Sequence, residues 1–344
     1  MRISDCRSLY YYQQLNRKEK AIYNAFYKGV MSRQDIIPVP AKGKMSNETF
    51  NRIFMAMTRD NPLIFYLNQS SCSWATDRFS HVAICPQYFF SEKKVREYKR
   101  KIEGVVNQLV ADLKLLDGND YDKEKKVHDW MCQNIEYDFD GSDMNQPVRL
   151  ITAHNIIGVF AHHKAQCEGI AKAAKVLLNA VDVKCIVVTG ESDVNYKNER
   201  HAWNIVDVGH VPYQLDITWD IGASSQKRRK IAYDYFNLTD SLIMQDHKCK
   251  DILPKCCEVD NNYYVMNNLV FSTKTKLYKY IDSTLKKGIY EFDFRYEGKE
   301  NATELSREIA RYALDWMRNQ GHSAVKVTQR PNDSLGVCKL EIYQ

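Results

Sequence analysis

The 344-residue sequence predicts an α+β fold: a helix that starts at a cysteine and packs on an antiparallel sheet, with a mainly helical region before it and a small α+β unit after it. Three observations point there. Apolar residues before position 135 recur at steps of three and four, the spacing of a helix face. Around residue 167 a short helical pattern runs into β-branched and alternating segments. The tail combines an alternating strand with another helix face.

In chain order, Ile22, Phe26 and Val30 mark a first helix. A second is expected over 46–57, capped by Ser46, with Phe50, Ile53, Phe54 and Met57 inward. Residues 81–85 read as a strand. Val95, Tyr98, Ile102, Val105, Leu109 and Leu113 form the face of a long helix, begun by Ser91 and ended by Gly118. Another helix follows over 120–134, with Val127, Trp130, Met131 and Ile135 inward. In the tail, Tyr290, Phe292, Phe294 and Tyr296 alternate, Leu305, Ile309, Tyr312 and Trp316 share a helix face, and 324–328 and 335–343 read as strands. This divides the chain into an N-terminal region 1–118, a core 119–275 and a C-terminal unit 276–344.

Hydrophobic residues make up 44% and charged residues 27%, values of a globular chain that exclude a disordered or fibrous one. The net charge of +6 is spread out, and the basic runs at 123–126 and 227–230 are short enough to be solvated faces, so no nucleic-acid partner is expected. No run reaches the roughly 18 apolar residues of a membrane span. The start, MRISDCRSLYYYQQLNRKEK, lacks an apolar h-region, and a cytoplasmic chain without a membrane partner is expected. Ten cysteines without a CxxC pair suit reduced thiols. His247, Cys249, Cys256 and Cys257 form their tightest cluster, but adjacent cysteines fit zinc spacing poorly, and neither metal nor cofactor is expected.

The segment AHHKAQCEGIAKAAKVLLNA places Cys167 just ahead of the apolar helical pattern Ile170, Ala173, Ala174, Leu177 and Leu178. A sulfur in the first turn of a helix meets unpaired N–H groups and the positive end of the helix dipole, which favour thiolate. Gly169 leaves room for another backbone or a substrate. The run KCIVVTGE reads as a buried strand, SDVNYKNER as a polar loop, and HAWNIVDV with VPYQLDITWD as a hairpin. A turn centred between Val208 and Gly209 sets His201 opposite Asp216, within reach of an imidazole–carboxylate bond. A one-residue slip would put them on opposite faces. Cys167 as nucleophile, His201 as base and then acid, and Asp216 as the group that orients the imidazole make a chain of roles for acyl transfer. The Cys167 backbone N–H is an oxyanion donor candidate, with Tyr137 a weaker second. Trp203 and Trp219 are candidate cleft walls.

The segments KAQCEGIAKAAKVLLN, RHAWNIVDV and YQLDITWD resemble the three motifs of the transglutaminase-like superfamily. HDWMCQNIEYD and AHNIIGVF resemble its lead-in, and YFNLTDSLIMQDHK the segment that follows in bacterial members, such as the transglutaminase-like cysteine proteases. The resemblance covers about 120–250 and implies a papain-like α+β core, with Cys167, His201 and Asp216 in the family's triad roles. Gln166 stands where the family usually has a small apolar residue. With no EF-hand-like calcium loop in the sequence, the expected activity is hydrolysis of peptide or side-chain amide bonds, with a peptide or protein as substrate. Transfer to an amine, or a non-catalytic peptide-binding role, are the alternatives.

Overall fold

The computed structural model describes residues 9–143, 145, 147–194, 197–224, 230–322 and 325–343. Cys6, most of the 227–230 run and residue 324 lie outside these. The N-terminal region opens with α1 (Tyr10–Gln14) and α2 (Arg17–Met31), the latter started by an Asn16–Glu19 capping box. Next come β1 (Ile37–Lys42), α3 (Asn47–Asp60, capped by Ser46), β2 (Ser73–Thr76) and β3 (His81–Cys85). The strands form an antiparallel sheet in the order β1-β3-β2, so the region is less purely helical than expected. Helix α4 (Glu92–Asp112) is capped by Ser91 as expected but stops short of Gly118. Lys114 takes a left-handed backbone, which reverses the chain and buries Leu115. Gly118, at φ +88°, instead leads into the Asn119 cap of α5 (Asp120–Asn134).

The central layer follows. Strand β4 (Glu136–Tyr137) pairs in parallel with β5 (Lys164–Ala165); between them run α6 (Pro147–Ala153) and one wider helical turn over Gly158–His162. Helix α7 (Cys167–Asn179) leads to β6 (Cys185–Val194), β7 (Lys197–Val208), β8 (Val211–Leu215), α8 (Ile217–Ala223), α9 (Asp240–Ile243) and β9 (His247–Lys248). The sheet order is β8-β7-β6-β9. Asn204 staples α7 to this sheet, donating from Nδ2 to the carbonyls of Ala171 and Ile186, each at 3.0 Å.

Three local expectations are corrected. Most of the SDVNYKNER stretch is paired strand, not loop: β6 and β7 stay paired out to Val194 and Lys197, and residues 195–196 lie outside the described ones. The β7–β8 register is centred between Gly209 and His210, pairing Val208 with Val211 and Asn204 with Leu215. Both turn residues have positive φ, +61° and +71°, the conformation of a two-residue I′ turn that Val208 would strain. The shift is two residues, so side chains keep their faces. Finally, the strand ends at Leu215, because Asp216 caps α8, accepting from the Trp219 N–H at 3.2 Å, and ITWD is helical.

The tail contains α10 (Tyr263–Met266), β10 (Val270–Phe271), α11 (Lys274–Lys286), β11 (Glu291–Tyr296), α12 (Ala302–Asn319), β12 (Lys326–Asn332) and β13 (Val337–Tyr343), with the sheet order β10-β11-β13-β12. One apolar core runs from Tyr11 to Phe236, joining the N-terminal helices to the central layer. A second runs from Phe271 to Ile342. A third, containing Tyr235, Leu238, Ile243, Tyr264, Leu335 and Val337, joins the tail to the segment after α8. Among the described residues no helix is long and apolar enough to cross a membrane.

Candidate active site

Cys167 is the first residue of α7, half-buried against Ala171, Val187 and Ala202. The cap position is Gln166, whose side chain makes no cap bond to the helix, leaving the first N–H groups of α7 without a side-chain acceptor. A Cβ on Gly169 would lie 2.5 Å from the Ala153 carbonyl oxygen, so the glycine lets another backbone run against the helix start.

His201, on β7, is buried and lies 2.6 Å through Nε2 from Asp216 Oδ2. The contact is made from the cap of α8 and not from a strand pair, because the β7–β8 pairing runs only from Asn204–Leu215 to Val208–Val211. The Cys167 side chain lies close enough to the same ring to favour its charged form. Burial works against a charge on His201, but the Asp216 carboxylate and Cys167 outweigh it and push its pKa up to about 10. Asp216 is fully buried, which opposes ionisation; His201 and His247 outweigh that and hold it below the usual carboxylate range.

His247 is the neighbour missed as a site residue. It lies on β9, with Nε2 3.0 Å from Asp216 Oδ2 and Nδ1 2.6 Å from Asp246 Oδ1. The Tyr235 hydroxyl donates to Asp246 Oδ2 at 2.7 Å and accepts from Asn332 of β12 at 3.2 Å. Gly190 admits β9: a Cβ there would sit 2.1 Å from the Lys248 carbonyl oxygen and 2.8 Å from the Trp203 ring.

Trp203 is fully buried, its ring 6.0 Å from His201 and nearly parallel, with its indole N–H donated to Gln214 Oε1 at 2.8 Å. It is a floor beneath the imidazole, not a wall of an open cleft. Trp219 is half-buried, 4.8 Å from the His247 ring and 4.9 Å from that of Tyr235, and borders a cavity of about 400 Å³ whose far side is formed by Arg330, Asn332 and Lys339. Tyr137 stands near Cys167; burial and the sulfur push its hydroxyl pKa up to about 12, keeping it a donor at neutral pH. The Gln166 amide is tied to the 138–142 loop, donating to Asp138 O and accepting from Ser142 Oγ, both at 3.1 Å.

The residues His247, Cys249, Cys256 and Cys257 do not converge. Both His247 nitrogens face carboxylates, Cys256 is buried beside Trp203, Cys257 is exposed and Cys249 Sγ lies 3.4 Å from Thr189 O. Among the described residues, the group of three or more His, Cys, Asp or Glu side chains that bring one ligand atom each within 4.8 Å of all the others is His201, Asp216 and His247. In this structure both imidazoles bond the Asp216 carboxylate.

A second imidazole anchors α8 from below. His128 on α5 lies 3.1 Å through Nε2 from Asp220 Oδ2 and 3.2 Å through Nδ1 from Asp129 Oδ1. Asp220 is one turn beyond Asp216 and also accepts from the Tyr235 N–H at 3.1 Å. The lead-in motif HDWMC therefore fixes the helix that carries the Asp216 cap.

The fold is α+β, and its central part is similar to the transglutaminase-like class. Residues 107–215 match the family model of the Transglutaminase-like superfamily. The Kyphoscoliosis peptidase of Mus musculus is 24% identical over 158 residues, 42% of this chain and 23% of that protein. That of Homo sapiens is 24% identical over 154 residues, 41% of this chain and again 23% of that protein. The matched stretch thus spans under a quarter of these relatives. A crystal structure of a TGase aligns at TM-score 0.30 and 14% identity, over 53% of this chain and 51% of that one.

Proposed function

We propose that the chain is a cysteine-dependent acyl-transfer enzyme that hydrolyses peptide or side-chain amide bonds. Cys167 attacks the carbonyl carbon, and the amide oxygen takes the charge against the Cys167 N–H at the mouth of α7. His201, protonated and held by Asp216, gives its Nδ1 proton to the leaving amine as the C–N bond breaks. Water, deprotonated by the same ring, then opens the thioester, releasing the Cys167 thiolate beside a reprotonated His201. The observation that carries this reading is the 2.6 Å bond between His201 and Asp216, with Cys167 opening α7 beside the same ring. The peptidase name of the curated relatives supports water over an amine as acceptor.

The test is reaction of the full chain with a peptidyl thiol-reactive probe near neutral pH, followed by peptide mapping, alongside turnover of a fluorogenic peptide library. Cys167 is expected to label far ahead of the other cysteines, and Cys167→Ala to abolish turnover while keeping the fold. Labelling of Cys167 no faster than of the rest would point to a binding module. Product appearing only with an added amine would point to transamidation.

A further inference from the structure

Both ring nitrogens of His247 face carboxylates, Asp216 at 3.0 Å and Asp246 at 2.6 Å. An ionised carboxylate only accepts hydrogen bonds, so satisfying both contacts needs a proton on each nitrogen. The ring is fully buried, where a lasting charge needs partners on every side. It has them: Asp216 and Asp246 by hydrogen bond, the Tyr235 hydroxyl behind Asp246, and the rings of Trp203 and Trp219 at 5.0 and 4.8 Å. The facing like charge is His201, with ring centroids 5.2 Å apart. The backbone lets this happen because Gly190 admits β9.

From this geometry we infer that His247 is a permanently charged positioning residue of the active centre, which holds Asp216 and sets how tightly His201 keeps its proton. This rests on the proposed roles of Cys167, His201 and Asp216. Asp216 Oδ2 serves two donors at once, so it cannot rotate away from His201 without losing His247. The second cation also draws on the same carboxylate. His201⁺ is stabilised less than it would be by Asp216 alone, and its proton is more easily passed to a leaving amine. Burial opposes the charge on His247, but the bonds to Asp216 and Asp246 outweigh it and move its pKa upward.

The first test needs no substrate. In the reduced full chain labelled with ¹⁵N-histidine, the His247 ring is identified as the signal missing from the spectrum of His247→Gln. It should carry protons on both nitrogens at pH 7 and keep them at pH 8. One protonated nitrogen at pH 7 overturns the inference, whatever the enzyme acts on. The second test is the pH dependence of Cys167 alkylation by iodoacetamide in His247→Gln, a substitution that keeps one N–H but removes the charge. The alkaline inflection, which reports His201 losing its proton, should move up by about one pH unit. An unmoved inflection in a folded variant also overturns it, because a packing role would slow the reaction without shifting that limb.

Discussion

His201 sits under two opposed forces, and their balance decides when the proposed chemistry runs. Burial favours the neutral ring; the Asp216 carboxylate favours the charged one and prevails, with a pKa of about 10. The sign follows from linkage. A histidine raised above its ordinary value of about 6.5 stabilises the fold fully below that pH and loses the contribution as pH climbs through about 10. Asp216 works the other way: its contribution is present above the ordinary carboxylate range and is lost as pH falls through its depressed folded value. Turnover should therefore persist into mildly alkaline solution and fall as His201 deprotonates near pH 10. Asp216→Asn removes the larger of the two influences that oppose burial, so the alkaline limb should move down and the rate near pH 7 fall on the order of 10³-fold or more. A pH–rate profile on any substrate found for the wild type checks both. A fully active Asp216→Asn variant would remove Asp216 from the mechanism. Cys167, His201 and Asp216 were legible in the sequence because each lies in a patterned segment. His247 was noticed only as a possible zinc ligand: a two-residue strand has no periodicity, and its partner Asp216 is 31 residues away.

At the scale of elements, the hairpin β7–β8 and helix α8 show why the reading of the sequence brought His201 and Asp216 together yet missed the register. Alternation fixes which face a side chain takes, and a two-residue shift preserves that face. Alternation does not locate the turn; that depended on Gly209 and His210 tolerating positive φ. Nor does it reveal that a strand stops, which here depended on Asp216 bonding the Trp219 N–H three residues on. The β6–β9 contact was equally hidden, because the signal for it is the absence of a side chain at Gly190. Gly190→Ala would drive its methyl into the Lys248 carbonyl and the Trp203 ring. Overpacking of this kind should cost about 1–3 kcal/mol. It should also push β9 outward, lengthening the His247–Asp216 contact and slowing Cys167 alkylation. Urea unfolding and alkylation kinetics on the same preparation test this. An unchanged midpoint would mean that β9 yields freely.

Across the whole molecule, the C-terminal unit is tied to the segment that supports the site. Asn332 donates to Asp234 and to the Tyr235 hydroxyl, each at 3.2 Å, and Arg330 reaches the Ala223 carbonyl at the end of α8. The strongest tie is the pair Lys339–Asp234, 2.6 Å apart with both side chains buried, where Tyr264 also donates to Asp234. The alternating Phe292 and Phe294 made the unit's own core legible in the sequence, but nothing in local pattern could pair Lys339 with a residue 105 positions earlier. Removing one partner of a buried ion pair leaves the other charged and dry, which costs about 3–5 kcal/mol, whereas removing both charges is often close to neutral. Lys339→Met should therefore lower stability by that amount, and Asp234→Asn combined with Lys339→Met should recover more than half of it. Because Tyr235 adjoins Asp234 and holds Asp246 beside His247, the single variant should also slow Cys167 alkylation and the double variant should restore it in step with stability. A double-mutant cycle in urea, read together with alkylation rates, decides the matter. Additive losses would mean that the two charges act independently, and full reactivity in a destabilised Lys339→Met would show that the C-terminal unit docks without supporting the active centre.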